Sequence, residues 1–512
     1  MTNSPNPNYT RSAFAIWCIT LAIVLIVRIL APSDLGQNLD QSKTIAFTVD
    51  MVQNNHWVLP TDSLGKLSHK PPMVNWLGAP IVALGFHSEL ALKLPAVISG
   101  ISISILVFFA ARFLFRKLDQ NSFDAADAAD AADRSIAHHA TPLAMLAASV
   151  WLASPSAVKH IYFMRPDILF AALLCAGWLL SIILLADQQR RHLKRIALGI
   201  WLLAACAALT KGPLALLIPV YLLVHIWVLI PKGDRRAAIN KTHWQWGIPI
   251  LLALPGLWLF AAYRTEPEHV RDILFVKELG GRLGGLESGS FLGGIVSAAT
   301  RNPAFFFERF LPWCLPAALA IVFKPSSKIR SHPLAPASLW VLLVLLTTTL
   351  LSLKAGSYIM PAYPAAAILA VYAIFRIIAS PKAHRITPAI YSNGALVIIS
   401  ASLITAREST MSRGAKNHTG EHLIDFAHKA SDLIGTNQVR FVNMGDLPIA
   451  SLMGKHQAGE IEIRDSHRWQ ISPTVMGAFG EPILVSEPIV THDPVTGEPI
   501  ETTITIGLYK VD

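Results

Sequence analysis

Apolar runs long enough to cross a lipid bilayer recur from Ala13 to Thr405, and nothing else in the chain restricts its folding so far. A helix needs about 20 apolar residues to span the hydrocarbon core. Inside lipid the backbone must satisfy its own hydrogen bonds, which leaves helices and closed barrels. The runs lie at about 13–31, 94–115, 142–157, 168–186, 196–209, 213–231, 246–263, 303–323, 335–352, 360–380 and 386–405, so about eleven spans are expected. Of the 512 residues, 53% are hydrophobic and 15% charged, whereas soluble domains carry about 25% charged residues. The chain therefore reads as a polytopic α-helical membrane protein. Its first run lacks a small-residue cleavage site and reads as a retained helix.

The formal net charge of +10 does not point to nucleic acid, because the basic residues are not gathered in one domain. They return in alternate loops: Arg112, Arg116 and Lys117; Arg190, Arg191, Lys194 and Arg195; Lys232, Arg235, Arg236 and Lys241; Lys324, Lys328 and Arg330; Lys382 and Arg385. The positive-inside rule puts these loops and the N-terminus in the cytoplasm. The remaining loops, about 32–93, 158–167, 210–212, 264–302 and 353–359, then lie outside, with everything after about 406. Cys18, Cys175, Cys206 and Cys314 fall within or at the edge of apolar runs. Free cysteine there packs as a small hydrophobe, so neither a disulfide framework nor a thiolate metal site is expected. Between Asp124 and Asp133 an aspartate recurs every third residue. That period matches neither helix nor strand burial, and the stretch reads as a solvated insert.

The last hundred residues change character. Short alternating stretches such as Val439–Val442 and Thr502–Ile506 are separated by Pro and Gly turns, with a helix expected at about His422 to Leu433. This predicts a small soluble α/β domain over 409–512, following a membrane domain over 1–408.

Charges at membrane depth are expensive and so are candidates for function. Asp40 and Lys43 stand one helical turn apart in the first outer loop, where juxtamembrane helices are expected, although an aspartate there also suits a helix cap. Lys70 precedes Pro71 and Pro72, which stiffen the chain and fix where it points; a lysine snorkelling to the interface is the ordinary alternative. Arg165-Pro166-Asp167 and Lys211-Gly212-Pro213 occupy minimal loops, and Arg165 with Asp167 also suits a plain internal ion pair. Glu278 and Arg282 lie four apart, as in many helix salt bridges, and Lys354 with Tyr358 closes the ninth span. All of these fall on the side opposite the basic loops. An acid and several cations on one membrane face suit an anionic lipid phosphate. Fixed cations stabilise the charge that develops when a bond to that phosphate breaks. Since phosphate is a good leaving group, with a second pKa of about 6, a general acid is dispensable. The aspartate is then free to orient or deprotonate an acceptor.

The pattern resembles the lipid-phosphate-sugar-dependent glycosyltransferases of the GT-C superfamily, and within it the bacterial aminoarabinose transferases of lipid A and the protein O-mannosyltransferases. Asp40-Gln41-Ser42-Lys43 runs without a gap through Met51 to His56-Trp57-Val58-Leu59-Pro60, then to Lys70-Pro71-Pro72 and Trp76, in the order of that family's first loop. Leu94-Pro95-Ala96, Arg165-Pro166-Asp167, Thr210-Lys211-Gly212-Pro213, Pro312-Trp313 and Ser352-x-Lys354 with Tyr358, Pro361 and Pro364 resemble later signatures, over roughly 13–380. The resemblance implies that Asp40 is the base or orienting carboxylate. It implies that Lys70, Arg165 and Arg282 hold the donor phosphate and that Lys211 and Lys354 complete a cationic rim near Tyr358. Lys43, Asp167 and Glu278 would support these. The partners implied are a polyprenyl-phosphate sugar donor, a lipid A, glycolipid or protein acceptor, and the bilayer of a bacterial inner membrane with the site facing the periplasm. Two departures stand out: Gln41 replaces an acid and Lys43 an arginine. Where family members pair an acid with a histidine to hold a divalent metal, this chain has His69 and Leu279, so no metal ligand is assigned. A transporter or flippase would carry charge near mid-span and often an internal repeat. An inactive binder of lipid-linked sugar is the other alternative, prompted by Gln41.

Overall fold

The computed structural model describes residues 7–31, 39–62, 65–120, 128–186, 192–280, 291–322, 332–353, 355–379, 386–414, 419–434 and short pieces between 440 and 510. The chain is mostly helical. Helix α1 (Pro7–Leu30) leads to α2 (Leu39–Gln53), α3 (Met73–Ala83) and the long α4 (Glu89–Gln120). Then come α5 (Ala128–His138), α6 (Ala140–Leu152), the one-and-a-half-turn α7 (Pro155–His160), α8 (Pro166–Ala186), α9 (Leu193–Lys211) and α10 (Leu217–Leu229). A short α11 (Arg235–Lys241) precedes α12 (Trp244–Thr265); α13 (Phe291–Phe310), α14 (Cys314–Val322), α15 (Ala335–Leu350), α16 (Tyr363–Ala379), α17 (Ile386–Gly414) and α18 (Thr419–Ile434) complete the principal helices.

Seven helical stretches among the described residues are long and apolar enough to cross a bilayer, with Leu193–Leu229 taken as one; Met73–Ala83, Ala140–Leu152 and Ala335–Leu350 are shorter apolar helices. This is a polytopic integral membrane protein. Leu252, Leu257 and Phe260 of α12 face outward, as side chains against lipid do. The core runs through α4, α6, α8, α9, α15 and α16, where Trp178 stacks on Trp340 at 6.2 Å and Tyr221 meets the same indole edge-on. The expected span at 303–323 is not one helix. It breaks between Phe310 and Cys314, where Pro312 has no N–H to continue the ladder.

The acidic repeat corrects its sequence reading. Asp124 and Asp127 lie outside the described residues, but 128–138 is helical and Asp133 is buried. A period of three drifts around a helix with 3.6 residues per turn, so Asp133 can face the bundle without the repeat as a whole marking a buried stripe. Beyond the bundle, α18 covers the expected 422–433 helix and widens it slightly. Strands β1 (Arg440–Phe441), β2 (Trp469–Pro473), β3 (Leu484–Val485) and β6 (Ile506–Lys510) form a sheet in the order β1-β2-β6-β3; β4 (Ile489–His492) pairs antiparallel with β5 (Pro499–Ile504). One apolar cluster joins this part to the first loop. It contains Leu423, Phe426 and Ala430 of α18 and Leu508 of β6, together with Ile45 and Val49 of α2 and Val74 of α3.

Candidate active site

The first loop folds before it can present anything. Asp50, at the end of α2, is fully buried and accepts hydrogen bonds from Asn54 Nδ2 at 2.7 Å and from the backbone N–H of Thr61 at 2.7 Å, with His56 Nδ1 at 3.0 Å. Asn75 of α3 donates to the carbonyl of Thr44 at 2.7 Å and to Thr48 Oγ1 at 3.0 Å, tying α3 to α2. The two helices touch so closely at Gly78 that a Cβ there would lie 2.8 Å from Thr48 Cγ2. Three ring N–H groups then pin the strap of chain between them. Trp76 donates to Trp57 O, Trp258 of α12 donates to Val58 O, and His269 Nε2 donates to Ser68 O at 3.0 Å. Ser68 also bonds the backbone of Lys70, and Pro71 and Pro72 restrict the backbone directly after that lysine.

Held in this way, Lys70 Nζ reaches Asp40 Oδ1 at 3.0 Å, although thirty residues separate them. Arg165 donates to the other oxygen of the same carboxylate at 2.8 Å. Arg165 Nε lies 3.2 Å from Asp167 Oδ2, and Asp167 Oδ1 takes a hydrogen bond from Lys211 Nζ. Lys211 sits 4.1 Å from the centre of the Tyr358 ring. Lys70, Asp40, Arg165, Asp167, Lys211 and Tyr358 therefore form one chain of alternating charge, assembled from five separate stretches of sequence.

Helix ends explain why the inner pair stands where it does. Asp167 is in the first turn of α8, after Pro166, and Lys211 is the last residue of α9. A carboxylate suits the positive N-terminal end of a helix and an ammonium the negative C-terminal end. Gly212 ends α9 with φ of +69°, a left-handed conformation that glycine adopts without strain, so the chain turns directly after the lysine.

The site grades from open to closed. The side chain of Asp40 is 40% exposed, that of Arg165 24%, and that of Asp167 only 2%. Burial pushes the Asp40 carboxyl up, but the Lys70 and Arg165 cations outweigh it and hold the group below its ordinary value. Asp40 is thus a standing anion and a weak base. Arg165 Nε and Asp167 Oδ2 are buried against each other as an ion pair, yet neither makes an aligned hydrogen bond. Such atoms are rare in native interiors and call for an explanation.

Five of the expected site residues come together here with Tyr358. Lys43, expected to face the same way as Asp40, lines an adjoining cavity with Asp62, Lys66, His69 and His269. Arg282 and Lys354 lie outside the described residues, as do the side chains of Glu278 and Leu279. Gln41 is buried, and its Oε1 accepts from the backbone N–H of Met164 at 2.9 Å. A neutral amide fills that position without a counter-ion, so the lost acid leaves the joint between α2 and the Arg165 segment intact. Leucine has no donor atom, and His69 with Leu279 does not fit the metal pair. Among the described residues no three His, Cys, Asp or Glu side chains gather as a metal-binding set. Sequence reasoning missed Asp50 and His269, which act on the loop backbone and carry no spacing signal; the charge of Asp50 at the end of a short helix was the one available hint.

No family model matches the chain. It is 22% identical over 364 residues to an uncharacterized protein of Aquifex aeolicus, covering 68% of this chain and 62% of that one. It is 23% identical over 274 residues to the undecaprenyl phosphate-alpha-4-amino-4-deoxy-L-arabinose arabinosyl transferase 2 of Proteus mirabilis, covering 52% and 44%. The matches thus span less than two thirds of these curated relatives. Among solved structures, ArnT from Cupriavidus metallidurans bound to undecaprenyl phosphate aligns with TM-score 0.63 at 15% identity over 98% of this chain and 97% of that one. The apo oligosaccharyltransferase of Archaeoglobus fulgidus aligns with TM-score 0.52 at 13% identity, over 88% and 64%. The chain therefore has the GT-C fold of the lipid-phosphate-sugar-dependent glycosyltransferases and resembles the aminoarabinose transferases among them.

Proposed function

We propose that this protein moves a sugar from a polyprenyl-phosphate donor to an extracytoplasmic acceptor, lipid A or another glycolipid or protein. The observation that carries the reading is the charge chain itself. It holds Lys70, Arg165 and Lys211 against Asp40 and Asp167, so one positive charge is in surplus. A phosphate fits that surplus, and Arg165 still has N–H groups to give it. An oxygen of the acceptor attacks the anomeric carbon while the bond to the phosphate oxygen breaks. The electron pair leaves on the phosphate, where Lys70 and Arg165, with Arg282, stabilise it. Asp40 orients the acceptor and takes its proton or passes it to water. Its low basicity suits an acceptor whose own proton is acidic or a transition state in which the phosphate bond is already long. Lys211 and Lys354 complete the rim beside Tyr358, Asp167 and Glu278 orient the cations, and Lys43 supports them.

An apolar groove of about 300 Å³ between α3, α4 and α8, lined by Leu77, Ile81, Pro95, Ile98 and Leu173, suits the start of the polyprenyl chain. On this reading the chain crosses a bacterial inner membrane about eleven times with the site on the periplasmic side, where 409–512 forms a soluble unit packed on the first loop through α18. Purified protein in vesicles should release free polyprenyl phosphate from a polyprenyl-phosphate sugar when an acceptor lipid is present, as followed by mass spectrometry. Transport of the donor across the vesicle without any loss of its sugar would refute the reading in favour of a flippase.

A further inference from the structure

At the membrane face opposite the charge chain, the end of α10, the short α11 and the starts of α9 and α12 come together. Lys211 closes α9 and Leu193 opens it, about 28 Å away along the helix axis and so close to the ~30 Å depth of a bilayer core. Trp201 of α9 donates from Nε1 to Thr242 O at 2.8 Å. Gly247 approaches the same indole so closely that a Cβ there would lie 2.0 Å from it. The start of α12 is thereby fixed at the level of Trp201, and Lys194 and Arg195 stand about 10 Å further out along α9.

The surface changes in layers toward that end. Leu198 and Leu202 of α9 and Ile248 and Leu252 of α12 are exposed, as side chains under lipid tails are. Trp227, in the last turn of α10, and Trp244 and Trp246, at the start of α12, are exposed by 61%, 45% and 70%. Indoles, apolar with one polar edge, settle at headgroup level. Lys194, Arg195, Lys232 and Arg236 complete the patch; all four are exposed, and none is engaged in a hydrogen bond or ion pair among the described residues. Arg235 is spent otherwise, since it donates to Trp227 O at 2.6 Å and to Ile230 O at 3.2 Å and closes the end of α10. Across 187–195 and 231–243 the sequence holds eight Lys and Arg against two acids, Asp187 and Asp234. Orientation in the membrane asks only for basic residues in the loop. It does not ask for cations in two pairs on neighbouring elements, set over exposed indoles and a bare apolar surface.

The geometry points to a bound phospholipid with two phosphates, of the cardiolipin class, at this patch. One phosphate takes Lys194 and Arg195 and the other Lys232 and Arg236, while the acyl chains run down Leu198, Leu202, Ile248 and Leu252. Lysine and arginine clustered at the edge of membrane helices select anionic headgroups in this way. A lipid with one phosphate satisfies one pair, and a zwitterionic lipid sets its own cation against both.

The test is lipid retention by the full chain released from nanodiscs of equal parts cardiolipin, phosphatidylglycerol and phosphatidylethanolamine, read by native mass spectrometry. Cardiolipin should be retained roughly tenfold over phosphatidylethanolamine, with phosphatidylglycerol between them. In Arg195→Gln/Arg236→Gln the preference should fall below roughly threefold, and in Arg195→Lys/Arg236→Lys it should persist, which separates lost charge from lost folding. Arg301→Gln, which removes an exposed arginine of α13 outside the patch, should leave the preference as it is. Equal retention of the three lipids, an equal loss in Arg301→Gln, or a preference unchanged in the double glutamine variant would each overturn the inference. Displacement of cardiolipin by an equal amount of polyprenyl phosphate would overturn it by giving the patch to that lipid. A severalfold gain in cardiolipin on Asp124→Asn/Asp127→Asn would overturn it by giving the patch to the chain's own acidic repeat.

Discussion

Two charged clusters in this protein share an aspartate, cations and a tyrosine, yet they do opposite things. At the site end, Lys70, Asp40, Arg165, Asp167 and Lys211 run in a line to Tyr358. Tyr358 lies just before α16. Tyr372 lies on the order of 20 Å further along that element and donates to Asp133 at 3.1 Å. It accepts from His332 Nε2 at 3.1 Å, while His332 Nδ1 takes the backbone N–H of Leu334, and Arg376 stands 3.8 Å from Asp133. Among the described residues no buried polar atom of Asp133, His332 or Tyr372 lacks a hydrogen-bond partner, whereas at the site end Arg165 Nε and Asp167 Oδ2 face each other as an ion pair without an aligned hydrogen bond. A saturated network specifies one packing. An unsaturated one with surplus charge is prepared for something that arrives.

The sharpest way to break this contrast is at Asp40. Asp40→Asn keeps the size of the side chain and removes the charge that holds Lys70 and Arg165 in place. Transfer in vesicles should fall by roughly a thousandfold, within the range expected when a positioned acid–base group and its orientation of substrate are lost together. The unfolding temperature should hardly move, because the side chain is two-fifths exposed. Equal transfer by parent and variant would take the site away from Asp40.

Next in size is the inner pair of the same chain. Lys211→Ala leaves the carboxylate of Asp167, only 2% exposed, with a single cation beside it. Removing one partner of a buried ion pair costs about 3–5 kcal/mol. Unfolding midpoints in detergent should show that loss, together with a drop in transfer. The double variant Lys211→Met/Asp167→Leu should recover most of the stability and none of the transfer. Recovery of both would mean that the pair is scaffold, like the cluster at the other end.

Much of the site was legible in the sequence because its members are charges at the edges of apolar runs, where charge needs a reason. Asp40, Lys70, Arg165, Asp167 and Lys211 were found in that way, and the motif order in the first loop reinforced them. What stayed hidden depends on which way a side chain turns. Asp40 and Lys43 are one turn apart, yet one joins the charge chain and the other lines the cavity. His269 looks like any loop histidine until its ring meets Ser68. The break at Pro312 could have been foreseen from the missing N–H. The burial of Asp133 could not, since the four aspartates of the repeat look alike and only tertiary packing turns this one inward.

A smaller effect is expected from pH at the site end. His160 is buried, with Nδ1 bonded to Ser156 O at 2.8 Å, and burial pushes its pKa down to about 4, against an opposing pull from Asp167. The unfolded chain takes up this proton below about 6.5, and the folded protein refuses it until about 4. Between those values the unfolded state binds more protons, so stability falls as the pH is lowered through the window, by roughly 3 kcal/mol in all. A His160→Gln variant should show a flatter stability profile between pH 4.5 and 6.5. Asp40 has the opposite timing: its depressed pKa keeps its ion pairs intact across that window, and they are lost only as the pH falls through the folded value, under 3.8.

The smallest effect tests the far end. Asp133→Asn still offers an oxygen to Tyr372, so the hydrogen bond survives, but the charge facing Arg376 and His332 is gone. Those contacts are 3.8 Å long, which makes their loss modest, about 1–2 kcal/mol. Unfolding midpoints should fall by that much, while transfer stays within about twofold of the parent. Tyr372→Phe removes the hydroxyl that links His332 to Asp133 and should behave in the same way. If either variant instead lowered transfer tenfold with little change in stability, the two clusters would not be independent. The buried α16 would then have to be read as a rod that sets Tyr358 against Lys211 from its distant end.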